Sequence, residues 1–432
     1  MHKRNILVFP GGTEIGLEIQ KSLQYCKEIN LYSAGSDVSN HASYVFKNHF
    51  ILPDIYQPNW INSLNDIIDW YKIDYIFPAY DDIIVALVQN SDKINSKIIS
   101  SPLETCLICR SKSKTYEKFA GLLPVPTVFK KPSDVTSFPV FVKPDKGQGS
   151  QDSFKVENSK TLEVHLQNYS NHSNLLIMEY LPGKEFTIDC FSDRRKGLLF
   201  CNGRERIRTK SGISMNSKPV DNKTFLEIRK IADIISAQLV FHGAWFFQLK
   251  MSKDGSLKLL EMAPRISGTM AISRVLGVNF PLLSIYESEG LNIEILTNSC
   301  SIEIDRALTN RYKLDIIYDK VYVDLDDTLI VNNRINTFLI KFLYQAINNN
   351  CKIILITKSS YNVEKVLEQK RLSSIFDKVI LLTKNESKSN FIDPNGAIFI
   401  DDSFSERKSV YCKHKIPTFD CSMIELLIDD RL

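Results

Sequence analysis

The stretch Leu257 to Gly268, LKLLEMAPRISG, limits the chain more than any other. An apolar strand delivers one acid, Glu261, and three residues on comes Pro264-Arg265 with a Ser-Gly turn. A carboxylate at the end of a buried strand is costly unless it meets a cation or hydrogen-bond donors. The arginine beside it implies a cation shared with a phosphate. An ordinary strand-end salt bridge is the bland alternative, and the rest of the chain must decide between them.

At 432 residues the chain exceeds one typical core, so two or three domains are expected. A hydrophobic content of 44% and a charged content of 24% are those of an ordinary soluble protein. A formal charge of +4 is too small for this length to indicate nucleic-acid binding. The nine cysteines are scattered and odd in number, which fits a reducing compartment rather than a disulfide framework. Cys106 and Cys109 form a CxxC without a second pair or a nearby histidine, which argues against a metal site there. The N-terminal apolar run is too short for a signal peptide, and no run of 18 apolar residues occurs. A cytoplasmic protein with no membrane or nucleic-acid partner is expected.

Taken in order, Asn5 to Phe9 reads as a buried strand and Pro10 to Gly16 as a glycine turn into a helix, the opening of a doubly wound sheet. The G-x-G-x-x-G spacing is absent, so a dinucleotide site is not expected. A second strand is predicted at Ile29 to Ser33 and a third at Asp74 to Pro78, leading to Asp81 and Asp82 as ligand groups or helix caps. Thr105 to Ala120 reads as one helix carrying Arg110, Lys112 and Lys114.

Val140 to Pro144 is a strand ending in Lys143, and a small-residue loop follows through Gly147, Gly149 and Ser150 to another strand near Phe154. Two strands bridged by such a flap make a phosphate cover, with backbone N–H groups and the lysine as donors. Leu175 to Glu185 gives a strand closed by Glu179, a Gly turn and a second acid, Glu185. Carboxylates there suit nucleoside hydroxyl and amine donors. Gly203 to Gly212 is basic, and period-2 alternation puts Arg204, Arg206 and Arg208 on one face, apt for phosphates or for solvent. Gly243 to Lys250 is a strand with one polar residue, Gln248, among aromatics, and it should pair with Leu257 to Met262.

This order of motifs resembles the ATP-grasp superfamily, in its carboxylate–amine ligase and carbamoyl-phosphate-synthase-like branch, over about residues 1 to 310. The resemblance implies that Lys143 holds the α- and β-phosphates of ATP under the flap of Gly147, Gly149 and Ser150. It implies Glu179 on the adenine side, Glu185 on the ribose, and Lys112 (alternatively Lys114) on the phosphates. Glu261 would bind Mg²⁺, while Arg265 and one of Arg204 or Arg206 clamp the transferred phosphoryl group. Two departures stand out: Ala263 replaces the family's metal-binding asparagine, and Gln248, placed among the nucleotide-site residues, replaces a second metal acid. Glu261 is then the main protein ligand, and a two-metal arrangement is in doubt.

After Asp305 the pattern resets. Lys320 to Leu329 is an apolar strand ending in Asp324-x-Asp326-x-Thr328, and two such carboxylates can divide labour as nucleophile and acid/base. Further strands end in Thr357 and in Asp401-Asp402, and Lys384 and Lys388 follow the strand between them. Four such endings lie along one sheet edge. The pattern resembles the haloacid-dehalogenase phosphatase superfamily over roughly 316 to 432. The resemblance implies Asp324 as the phosphorylated nucleophile, Asp326 as acid/base, Thr357 as phosphate donor and Lys388 (or Lys384) as phosphoryl stabiliser. Mg²⁺ would be held among Asp324, Asp326, Asp401 and Asp402. About 28 residues, read as one helix at Asn336 to Asn348, separate the first two motifs, too few for a cap.

The expected architecture is thus multidomain α/β and α+β: a Rossmann-like domain at 1–105, a two-lobed ATP-grasp domain at 106–312, and a Rossmannoid haloacid-dehalogenase-like domain without a large cap at 316–432. The expected function is an ATP-dependent carboxylate–amine ligase, acting through an acyl phosphate, fused to a Mg²⁺-dependent phosphatase. Its partners would be a small-molecule carboxylate, an amine and a phosphoester, with a homodimer left open. The alternatives are a carboxylate kinase with a phosphatase domain and a nucleotide-binding regulator without turnover.

Overall fold

The computed structural model describes residues 3–147, 152–168, 174–298 and 302–431. The chain divides into two compact units, Met1–Leu308 and Thr309–Arg431. The first two expected domains therefore lie in one unit.

The first unit opens with a five-stranded parallel sheet of β1 (Arg4–Phe9), β2 (Ile29–Gly35), β3 (His49–Ile51), β4 (Tyr75–Pro78) and β5 (Lys97–Ile98), in the order β3-β2-β1-β4-β5. The middle strand is buried on both faces: Ile6 and Val8 pack with the helix Glu14–Leu23, Leu7 and Phe9 with the helix Trp60–Tyr71. Strand order reverses beside β1, so the turns after β1 and β4 open toward a common crevice. Thr13 caps the first helix by accepting from Gly16 N at 3.0 Å. Gly16 lies so close to the turn that a Cβ would meet the Gly11 carbonyl oxygen at 2.6 Å. The β3 strand was not anticipated: three partly exposed residues are too few to display a period.

The single helix expected over Thr105 to Ala120 is two, Leu103–Arg110 and Lys112–Phe119. Ser111 between them is extended, and its hydroxyl accepts from Lys114 N at 3.3 Å, starting the second helix afresh. Next come β6 (Val128–Phe129), β7 (Val140–Pro144), β8 (Phe154–Val156) and β9 (Leu175–Glu179), an antiparallel sheet in the order β6-β9-β7-β8. A second antiparallel sheet holds β10 (Glu185–Asp193), β11 (Gly197–Lys210), β12 (Ile213–Pro219), β13 (Gly243–Met251), β14 (Leu257–Ala263) and β15 (Ile304–Asp305), ordered β14-β13-β10-β11-β12-β15. The helix Asn222–Gln238 buries Ile228, Ile231, Ala232 and Ile235 on it, against Trp245, Phe247 and Leu249. That spacing of three and four residues is the apolar stripe of an amphipathic helix.

The second unit carries β16 (Lys320–Val323), a hairpin of β17 (Ile330–Val331) and β18 (Arg334–Ile335), then β19 (Lys352–Thr357), β20 (Lys378–Leu381), β21 (Ala397–Ile400) and β22 (Thr418–Phe419). The main sheet is parallel, ordered β20-β19-β16-β21-β22. Where one helix was expected after the first motif, the hairpin precedes the helix Thr337–Asn348. Val321, Val323, Ile398 and Ile400 are fully buried, so the central strands hold the polar groups at their ends in fixed positions. Among the described residues no helix is long and apolar enough to cross a membrane.

Candidate active sites

A cleft in the first unit is walled by β7 and β9 on one side and by β10, β11, β13 and β14 on the other. Phe141, Met178, Leu181 and Leu260 give it an apolar floor, and Lys112, Lys143, Glu179, Glu185, Arg206 and Glu261 project into it. Lys143 and Lys112 are buried, each 9% exposed, and neither forms a salt bridge among the described residues. Burial, then the neighbouring Lys112 ammonium, pushes the Lys143 amine down to about 8. Among the described residues the Lys112 Nζ reaches only the carbonyl oxygens of Asp145 at 3.2 Å and Gly147 at 3.5 Å. Lys114, the alternative, lies instead by a surface groove with Lys146 and Tyr56.

The strand lysine and the second helix are joined through Asp145. Its carboxylate accepts from Ser113 N at 2.7 Å and the Ser111 hydroxyl at 2.8 Å, capping the helix that bears Lys112. Of the flap residues, Gly147 lines the cleft, while Gly149 and Ser150 lie outside the described residues.

The acids are differently employed. Glu179 accepts from Thr127 N at 2.7 Å and pairs with Lys258. Glu185 pairs with Lys250 at 3.1 Å and with Arg206. Arg206 also donates to Gln248 Oε1 at 2.9 Å, and its buried Nε has no partner. Glu261 faces Gln248 across the β13–β14 pair, beside an irregularity in register, and its carboxylate has no hydrogen bond or ion pair among the described residues. A partnerless acid facing two buried ammonium groups and an unfilled guanidinium N–H suits a polyphosphate with its divalent cation.

Past Glu261 the cleft continues into a second cavity, lined also by Thr13, Tyr80, Asp81 and Arg265 from around the crevice of the first sheet. Arg265 holds both oxygens of Asp81, one at 3.0 Å, and lies over the Phe246 ring at 5.1 Å. Asp82 holds Arg110 at 2.7 Å. Both acids serve as ion-pair partners rather than as the cap of the helix Asp81–Gln89, whose cap is Tyr80. The three arginines expected on one face part ways. Arg204 is 2% exposed and buried on Asp189, Ser267 and Thr269, out of the cleft, and Arg208 is exposed and pairs with Asp305 at 2.8 Å. Register shifts after Arg206 turn the strand and break the alternation. Arg206 alone of the three reaches the cleft.

In the second unit Lys388 Nζ lies 2.6 Å from both Asp324 and Asp401, at the carboxyl edge of the sheet. Burial, with Asp401 reinforcing it against Lys388, pushes the Asp324 carboxyl up to about 6. Burial also raises Asp401. Although burial opposes it, the two carboxylates hold Lys388 above the usual lysine range. Asp324, Asp401 and Asp402 offer oxygens all within 4.8 Å of one another. Asp402 is fixed by Thr328, whose hydroxyl donates to its carboxylate at 3.1 Å and accepts from its N–H at 2.9 Å. Thr357, 1% exposed, ends β19 on the same edge. Lys384 is exposed and outside this cluster.

One expectation needs correction. Asp326 does not belong to the acidic group that could share a cation: its carboxylate accepts from the Tyr361 hydroxyl instead. It lies three residues past the end of β16, next to Asp327, whose backbone is left-handed. Sequence reasoning also missed Lys250, Lys258, Glu14 and Arg306 in the first unit and Tyr361 in the second. Alternation from Gln248 points to Lys250; nothing local points to the others.

Residues 171–317 match the sequence model of a family described as ATP-grasp in the biosynthetic pathway with Ter operon. A segment of 56 residues is 41% identical to the D-alanine–D-alanine ligase of Francisella philomiragia, covering 13% of this chain and 19% of that ligase. The chain thus spans about a fifth of the length of that curated relative. Among solved structures, the biotin carboxylase domain of Hydrogenobacter thermophilus 2-oxoglutarate carboxylase, crystallised with MgADP, ADP and bicarbonate, superposes with a TM-score of 0.57 at 14% identity, over 69% of this chain and 72% of that one. The L-amino acid ligase of Bacillus licheniformis superposes with a TM-score of 0.54 at 16% identity, over 66% and 74%. Shares of that size exceed the second unit, so the likeness falls mainly on the first. The chain shares the fold of these two solved enzymes over about two thirds of its length, and within it residues 171–317 match an ATP-grasp family model.

Proposed function

We propose that the first unit is an ATP-dependent carboxylate–amine ligase and the second a Mg²⁺-dependent phosphatase of the haloacid-dehalogenase type. The observation that carries the first reading is the pair of buried, unneutralised lysines, Lys112 and Lys143, beside the unpartnered Glu261. Two buried cations without a salt bridge are costly, and a nucleotide's polyphosphate relieves them. ADP-bound relatives of this fold support the nucleotide, and the ligase names among the relatives support bond formation between an acid and an amine.

In this reading the apolar floor takes the adenine, with Glu179 near its amine and Glu185 at the ribose. Lys143 and Lys112 hold the phosphates in line, and Arg206 and Arg265 meet the charge that develops as a substrate carboxylate attacks the γ-phosphate. The acyl phosphate so formed is opened by the amine, releasing phosphate. Glu261 is the residue that would hold Mg²⁺ there, where the ion neutralises phosphate oxygens.

In the second unit Asp324 is the nucleophile and forms an aspartyl phosphate, while Asp326, steadied by Tyr361, passes protons to the leaving group and from water. Lys388 and Thr357 donate to the phosphoryl oxygens. Asp324, Asp401 and Asp402 would hold the divalent ion, which screens the anionic nucleophile from its substrate. A single experiment tests both halves: ADP release with ATP, Mg²⁺ and paired acids and amines, beside hydrolysis of p-nitrophenyl phosphate. ADP release requiring both acid and amine supports the ligase. Hydrolysis persisting in Asp324→Asn would remove the nucleophile assignment.

A further inference from the structure

A second cavity lies beyond Glu261. Four arginines reach it, and each already faces an acid: Arg265 with Asp81, Arg110 with Asp82, Arg206 with Glu185, and Arg306 with Glu14. Besides Lys112 and Glu261, which it shares with the first cleft, the remaining wall is uncharged, with Thr13, Ser211, Ser214 and Ser267 among its residues. With Lys112 engaged by the nucleotide's phosphates, an anion of high charge, such as a sugar phosphate, would have to part an arginine from its acid and then face that acid.

The four pairs are not equal. Arg265–Asp81 and Arg110–Asp82 are two-point pairs, and Arg206 is tied to Glu185, Gln248 and Gly212 together. Arg306–Glu14 is a single contact of 3.3 Å between side chains 26% and 35% exposed, and the same Arg306 nitrogen otherwise donates only weakly, to the Ser214 carbonyl at 3.4 Å. It is the pair a ligand can open. Opening it bares one cation and one anion a few ångströms apart. A lone anion on Arg306 leaves Glu14 opposing it, and a lone cation on Glu14 leaves Arg306 bare. A group carrying an ammonium and a carboxylate on one carbon satisfies both.

Glu14 is also held in place for such a role. It opens the helix Glu14–Leu23, and the backbone at Gly268 lies against its carboxylate so closely that a Cβ there would stand 2.4 Å from Oε1. We infer that this cavity binds an α-amino acid as a zwitterion, its ammonium on Glu14 and its carboxylate on Arg306. With both α groups held, the reacting group is a third one, a side-chain carboxylate or amine extended toward Glu261. The inference rests on the ligase reading and narrows its substrate.

The test measures ADP release from the full chain with ATP and Mg²⁺. Aspartate or glutamate serves as the acid and lysine or ornithine as the amine, each also replaced by its analogue lacking the α-ammonium or the α-carboxylate. Release with at least one amino acid, falling about thirtyfold or more in kcat/KM when either α group is removed, is expected. Glu14→Gln should raise KM for that amino acid about thirtyfold with the KM for ATP unchanged within about twofold. Gly268→Ala, which moves only the end of a flexible side chain, should shift the same constant in the same direction. Equal turnover of succinate, glutarate or ribose 5-phosphate overturns the inference and leaves the ligase intact. An unchanged amino-acid KM in both variants does the same. No ADP release with any acid and amine overturns both readings together.

Discussion

The two candidate sites are electrostatic opposites. The cleft of the first unit holds two buried ammonium groups, Lys112 and Lys143, that form no salt bridge among the described residues, and burial pushes Lys143 down to about 8. The sheet edge of the second unit has a surplus of negative charge, with Asp324, Asp401 and Asp402 set against Lys388 alone, and burial pushes Asp324 up to about 6. Each site holds its reactive groups against their preference for water, and each relaxes when the missing charge arrives. The missing charges differ in sign. On the proposed reading a polyanion would complete the first site directly, whereas the second would need a divalent cation before a phosphate could approach three carboxylates.

The largest effect that can break this comparison is nucleophile removal. Asp324→Asn should lower p-nitrophenyl phosphate hydrolysis by at least about 10³-fold while ADP release stays within about twofold. Loss of both activities would show that one site, not two, carries the chemistry. The reciprocal change, Lys143→Ala, should lower ADP release about 10²-fold or more and leave the phosphatase rate alone. Glu261→Gln should cost about as much as Lys143→Ala, because Ala263 and Gln248 leave Glu261 with no acidic companion at the metal position. A loss below about fivefold would mean that the metal is held by phosphate oxygens alone.

Chelation separates the sites more gently. Stripping divalent cations should abolish phosphatase turnover, since the carboxylates then repel the substrate. ADP binding to the first unit should weaken by only about tenfold, because Lys112 and Lys143 still answer the phosphates. Calorimetry with and without chelator measures this. Equal losses at both sites would remove the distinction drawn above.

How far the sequence could be read follows from where each residue's neighbours come from. Glu179, Asp324, Thr357 and Asp401 end apolar strands or directly follow them, and Lys143 and Glu261 lie within two residues of a strand end, so each polar group stands out in a single stretch. Three of the five strands of the first sheet, β1, β2 and β4, are legible as short apolar runs, whereas β3 and β5, with three and two residues, are not. What stayed open depended on packing between distant segments. Lys112 and Lys114 are indistinguishable by spacing. Only the break at Ser111, with Asp145 capping the new helix, turns Lys112 into the cleft. Arg204 and Arg206 share a face by alternation, yet Asp189 and the Ser267–Thr269 turn bury the first and leave the second to the ligand. Arg306 meets Glu14 across 292 residues, and no local pattern announces such a pair. Asp326 looked like a fourth metal acid because its spacing fitted, and Tyr361, from the loop after another strand, claims it instead.

The smallest expected effect is also the one that reads the sign of each site. A lysine whose native pKa is about 8 is less protonated in the folded chain than in the unfolded chain from there up to the usual lysine range. The unfolded state therefore binds more protons in that window, and the contribution of Lys143 to stability rises with pH through it. Asp324, raised to about 6, is the reverse: from the usual aspartate range up to 6 the native state binds more protons, so its contribution falls as pH rises. Removing each charge exposes the difference. Lys143→Met should stabilise the first unit at pH 7 by about 1–2 kcal/mol, with the gain shrinking toward pH 10. Asp324→Asn should stabilise the second unit at pH 7 by a similar amount, about 1–2 kcal/mol, with the gain shrinking toward pH 4. Saturating ADP should reverse the first gain, because the lysine then has its anion, and leave the second untouched. Denaturant unfolding of the two variants across pH 4 to 10, with and without ADP, measures all three. Gains that shrink in the same direction would mean that the two sites are not of opposite sign.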